Sequence, residues 1–137
     1  MTVQEKILNQ IPKKRKEDLI RSQINNAKSI LTRNNLELTS YILDVISINE
    51  IIPSQYNEDY ENESSKYDVG VFLSAIKGIA EINDLRLETF RPIAVNKSTM
   101  KIIDGNHRHY ALKTAGETKA YVLLCETQNI KNFKTLL

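Results

Sequence analysis

The sequence is poor in the residues that usually give a function away. Its 137 residues include one cysteine, two histidines, four glycines, three prolines and no tryptophan. A lone cysteine, Cys125, can neither close an internal disulfide nor build a metal knuckle, so a reducing cytoplasm is the expected compartment. No apolar run is long enough to span a bilayer. The N-terminus lacks the apolar stretch and small-residue cleavage site of a secretory signal. With no Walker-type glycine loop and no G-x-G-x-x-G, any nucleotide must be held another way. No internal repeat or low-complexity segment is visible. What is present is ordinary: 41% hydrophobic and 26% charged residues exclude a mainly disordered or fibrous chain, and the length is that of one domain.

The net charge of +2 conceals a pattern. Residues 1–35 carry +5, residues 36–90 carry −8 and residues 91–137 carry +5. Two basic thirds flank an acidic middle, which suggests either separate binding roles for the ends or a self-complementary surface.

Residues 1–35 are expected to form a helical N-terminal extension. Val3, Ile7, Leu8 and Ile11 make one short apolar stripe, and Pro12 breaks it or opens a new helix. Leu19, Ile20, Ile24, Ala27, Ile30 and Leu31 continue at helical spacing until Asn34-Asn35 stops it. This narrow face is suited to packing on the body or on a second copy. The body is expected over residues 36–128. Tyr41 to Ile48 reads as a strand, Ile51 to Asn57 as an extended segment around Pro53, and 58–68 as an acidic, solvated loop. Val69, Phe72, Leu73, Ile76, Ile79 and Ala80 make a helical stripe. Arg91–Asn96 and Met100–Asp104 read as short strands joined by a turn at Lys97-Ser98-Thr99. Residues 106–115 read as a helix stopped by Gly116, and Lys119–Cys125 as a last strand. Residues 129–137 are left as a tail or short helix. The class is mixed α/β.

The chemistry concentrates in Ile102-Ile103-Asp104-Gly105-Asn106-His107-Arg108. A strand ends at Asp104, Gly105 permits a sharp turn, and a helix begins at once. Its first N–H groups lack intrahelical acceptors, and its dipole places partial positive charge there. His107 and Arg108 add cations where that dipole disfavours them. An anion would satisfy all three features together, and phosphate is the obvious one. The plainer reading is that Asp104 or Asn106 caps the helix and Arg108 points to solvent.

The segment IIDGNHRHYALKTAGETKAYVLL resembles the second motif of the ParB/sulfiredoxin superfamily, in which a strand, a G-x-x-R turn and a helix hold nucleotide phosphates. IIPSQYN, FLSAIKGI and RPIAV resemble its other boxes, in the right order over residues 40–125. The resemblance implies a small mixed sheet with packed helices. It also implies phosphate binding by Gly105, Asn106, His107 and Arg108, with Ser74 and Lys77 on a helix facing the nucleotide. Sulfiredoxins carry cysteine where this chain has Asn106, and an amide cannot do thiolate chemistry. Partitioning ParB proteins carry G-E-R-R and a further helix-turn-helix domain, for which this chain leaves no room. The turn is closest to the D-G-x-H-R of free-serine kinases of this fold. That likeness implies ATP or another nucleoside triphosphate or diphosphate with Mg²⁺, Asp104 as base or metal ligand, and His107 as acid–base. A second acid would come from the region of Glu58, Asp59 and Glu61, with Glu58 the first candidate. Hydrolysis or phosphotransfer to a small molecule is the implied chemistry.

The rival is a non-catalytic, ParB-like DNA-binding or protein-interaction module, such as an accessory or inhibitor protein of a mobile element. Lys13, Lys14, Arg15 and Lys16 would then contact nucleic acid or a protein partner. A continuous basic face joining them to Arg91, Lys101 and Lys119 would favour nucleic acid, although no helix-turn-helix or stacking pattern accompanies them.

Overall fold

The computed structural model describes residues 1–54, 63–78 and 81–130, with the backbone alone at 63–65. It is mixed α/β. Two helices, α1 (Val3–Leu8) and α2 (Lys13–Arg33), precede strand β1 (Leu36–Ser47). Helix α3 (Glu63–Lys77), β2 (Ile93–Asn96), β3 (Ile102–Asp104), α4 (Asn106–Thr114) and β4 (Lys119–Asn129) follow. The sheet order is β1-β4-β2-β3. β4 runs antiparallel to β1 and parallel to β2, and β3 returns antiparallel to β2. Ile52 bridges Lys101, donating to the Met100 carbonyl and accepting from the Ile102 amide, so the segment after β1 borders β3.

Alternation along β4 divides its side chains between two cores. Ala120, Val122 and Leu124 join Val3, Ile7 and Leu8 of α1, Phe72 of α3 and Leu112 of α4. Leu123 and Cys125 meet Ala27 of α2 and Ala94 of β2. The N-terminal helices are therefore part of both cores. Gln4, fully buried, ties α1 down: its Nε2 donates to the carbonyls of Arg91 (3.0 Å) and Tyr121 (3.2 Å), and its Oε1 accepts from the Tyr121 amide (2.7 Å). Gln4→Ala leaves those backbone groups buried and unpaired, so urea unfolding should show a loss of about 3 kcal/mol.

Several boundaries differ from the sequence expectation. Pro12 stands at the N-cap of α2, one position before its first turn. β1 starts at Leu36 and β4 runs to Asn129, because the two strands pair over their whole length around a register shift between Leu38 and Ser40. Residues 63–68, expected in a loop, are the first turns of α3. Lys66 and Tyr67 are on the solvated face of the helix, while Asp68 is buried. Of the tail or short helix expected over 129–137, Asn129 closes β4 and Ile130 is not helical, while 131–137 lie outside the described residues.

Candidate functional site

The turn between β3 and α4 lines a groove of about 870 Å³. Lys101 to Arg108 line it together with Ile30 and Leu31 of α2, the α2 C-cap Asn34, Ser54, Asp68 and Arg86. Gly105 is the N-cap of α4, with φ 120° and ψ 24°, and no side chain caps the helix. The expected alternative of an Asp104 or Asn106 cap is not what forms. Asn106 turns instead to the segment after β1: its Oδ1 accepts from the Ser54 amide (3.1 Å) and its Nδ2 donates to Ser54 Oγ (3.2 Å). Gln23 of α2 donates to the Asp104 carbonyl at 3.4 Å. The turn is thus held from both sides.

Arg108 does not point to solvent. Its side chain is 10% exposed, and its Nη2 lies 3.7 Å from Asp104 Oδ2, an ion pair beyond hydrogen-bonding distance. Its buried Nε and Nη2 have no hydrogen-bond partner. Burial pulls its pKa down to about 10; Asp104 opposes the shift, Arg91 adds to it by like-charge repulsion, and Asp68 opposes it more weakly. The guanidinium remains charged at neutral pH. Arg91 repeats the pattern: Nη1 donates to Ser22 Oγ (3.2 Å), while its buried Nε is unpaired. Asp68 is taken up by Thr89 Oγ1 at 3.1 Å. Unpaired buried donors on a charged group are costly, and such costs concentrate at functional sites.

Gly105, Asn106, His107, Arg108 and Asp104 thus come together in the groove, while Ser74 and Lys77 on α3 are not among its lining residues. Glu58, with Asp59 and Glu61, lies outside the described residues. Ser54, Asp68, Arg86, Asn96 and Thr99 line the groove without having been singled out as site residues. Only Ser54 had a signal, its place inside the IIPSQYN segment. Among the described residues no group of three His, Cys, Asp or Glu side chains could hold a metal ion. One carboxylate, Asp104, is enough for a Mg²⁺ that keeps its waters and is bound mainly through phosphates.

His109 is structural. It is buried, with Nε2 3.1 Å from the Ile48 carbonyl. Burial lowers its pKa below 6.5, the hydrogen bond to Ile48 opposes this, and Lys113 adds to the lowering. The unfolded chain therefore binds this proton more readily than the folded one, and stability falls as pH drops through 6.5 toward the folded-state value. The melting temperature should decline over that window in the wild type and decline less in His109→Gln. Cys125 is equally inert: burial pushes its thiol up to about 11, leaving little thiolate at neutral pH.

The basic run of α2 is dispersed. Lys13 lies 4.0 Å from Glu17, Arg15 3.6 Å from Glu88, and Lys16 donates to Asn9 at 2.8 Å. Lys101 precedes β3 at the end of the sheet where β2 finishes, whereas Lys119 opens β4 at the other end. With Arg91 turned to Ser22, these cations do not join into one face. No described helix is long and apolar enough to cross a membrane.

Comparison of the chain with known protein families, curated proteins and solved structures returns no match.

Proposed function

We propose that this chain binds the phosphate groups of a nucleoside di- or triphosphate at residues 104–108, in the manner of the ParB/sulfiredoxin proteins its DGNHR segment resembles. Arg108 carries the reading. A buried guanidinium with two unpaired nitrogens, beside a helix N-terminus that no side chain caps, has the charge and donors an anion would satisfy. Arg86 and Lys101, lining the same groove, add positive charge. Asp104 would hold a Mg²⁺ ion, which would supply neutralisation of phosphate charge. Hydrolysis or phosphotransfer extends the same reading, with His107 as acid–base and Asp104 as metal ligand; most of the chemistry would be positioning and charge neutralisation.

Thermal unfolding with ATP, ADP, CTP or GTP, each with Mg²⁺, tests it on wild type and Arg108→Ala. A ligand that binds only the folded chain raises its melting temperature. The proposal expects a rise with at least one nucleotide, lost in Arg108→Ala. No rise with any of the four would overturn it.

A further inference from the structure

The edge strand opposite β3, β1, is built unlike an ordinary edge. Among the described residues β1 has a neighbour on one side only. Its centre exposes Tyr41 (46%), Ile42 (52%) and Leu43 (38%). Tyr41 and Leu43 stand opposite Cys125 and Leu123, on the face that meets α2, whereas Ile42 stands opposite Leu124 on the other face. An apolar edge with no lysine or proline is what isolated chains usually avoid.

The backbone shows how much of that edge is open. Cys125 turns its carbonyl away from β1, accepting from the Lys97 amide. Its partner Tyr41 therefore belongs to a non-hydrogen-bonded pair, and the alternation of an antiparallel ladder sends the N–H and C=O of Tyr41 and Leu43 outward. The next outward N–H, that of Val45, is covered by the Asp44 carboxylate at 2.8 Å. On the other side the strand is interrupted by the register shift between Leu38 and Ser40. The open window is Tyr41 to Leu43, and it is symmetric about Ile42.

We propose that this window pairs with the same window of a second copy, antiparallel, about a twofold axis through Ile42. Tyr41 of each copy then exchanges both backbone hydrogen bonds with Leu43 of the other, and Ile42 meets its own equivalent. Centring the axis on Leu43 would set Tyr41 against Val45, whose N–H is already taken. Centring it on Tyr41 would set Leu43 against Thr39 at the irregularity. Only the Ile42 register pairs Tyr41 with Leu43 on both sides of the axis and leaves Val45 and Thr39 to the ends of the ladder. It also places Asp44 opposite Ser40. Tyr–Leu cross-strand pairs form twice on one face and an Ile–Ile pair once on the other. The product is a closed, isologous dimer with one continuous sheet, independent of what the groove binds.

Light scattering on the full chain over a concentration series tests the dimer, and a cysteine at the axis tests the register. The expected mass is twice 15.7 kDa. Leu43→Pro removes an outward N–H that β4 does not use, and Ile42→Lys puts a charge on the axis; each should give the monomer mass with the wild-type circular dichroism spectrum. Ile76→Lys, a charge at an exposed isoleucine of α3, should leave the dimer intact. Facing residues of a non-hydrogen-bonded pair lie about 4.5 Å apart at Cα, within disulfide range. Ile42→Cys should therefore oxidise to a covalent dimer in high yield, and Tyr41→Cys should not. A monomeric wild type, a mass above the dimer, a dimer that survives Ile42→Lys, or equal cross-linking by the two cysteine variants would overturn the proposal.

Discussion

Replacing Arg108 with methionine is expected to make the unliganded protein more stable and to abolish its response to nucleotide. Arginine at this position is expensive: the side chain is 10% exposed, two guanidinium nitrogens lack hydrogen-bond partners, and the nearest carboxylate oxygen is 3.7 Å away. A charge so poorly compensated is a net cost to folding, and apolar replacements of such groups are often stabilising by about 1–4 kcal/mol. Asp104 loses its ion pair in the variant, but its side chain is 30% exposed and solvent can take over that charge. A gain of about 2 kcal/mol corresponds to a rise of roughly 6 °C in melting temperature for a chain of this size. Wild type at a nucleotide concentration of about 100 Kd should gain about 2.7 kcal/mol from binding, and Arg108→Met should gain nothing. Differential scanning calorimetry with and without nucleotide reads both numbers. A variant that melts lower than wild type would show that Arg108 is retained for packing.

The second large effect is expected at Gly105. Its φ of 120° lies in a region that side chains rarely adopt, and an added Cβ would stand 3.0 Å from Arg108 Nη2 and 3.2 Å from Ile93 Cγ2. The backbone strain costs about 1–3 kcal/mol and the overpacking against buried Ile93 a similar amount. Gly105→Ala should therefore lose about 3 kcal/mol, or roughly 10 °C in melting temperature. The clash falls on the guanidinium, so nucleotide affinity should fall with it. Gly116, also at positive φ, has nothing within 4 Å of an added Cβ, so Gly116→Ala is the control: strain without obstruction. If Gly105→Ala were no worse than Gly116→Ala, the turn would not be built around Arg108.

Much of this site could be read in the sequence because its signals are local. Asp-Gly after an apolar run, cations where a helix should begin, and a glycine ten residues later mark a strand, a turn and a helix without any tertiary information. The hairpin turn at Lys97-Ser98-Thr99 was legible for the same reason. What escaped was decided at a distance. No local pattern marks Gln4 and Gln23 for burial, yet both are fully buried, donating to backbone carbonyls of other elements. Asp68 reads as part of an acidic loop until Thr89, twenty-one residues away, provides its hydrogen bond. Ser74 and Lys77 rest on the family resemblance alone, and they are not among the residues that line the groove. Arg108 lies so close to Gly105 that an added Cβ there would meet its guanidinium, a burial that no pattern within DGNHR announces.

The central claim is that phosphate sits at the turn between β3 and α4. Backbone amide chemical shifts during titration of the wild-type chain with the nucleotide that stabilises it most, in the presence of Mg²⁺, report this directly. The account predicts that the largest changes fall on Gly105, Asn106 and Arg108, with smaller ones at Ser54 and Lys101, which line the same groove. Changes centred on any other part of the molecule, with these amides unmoved, would contradict it.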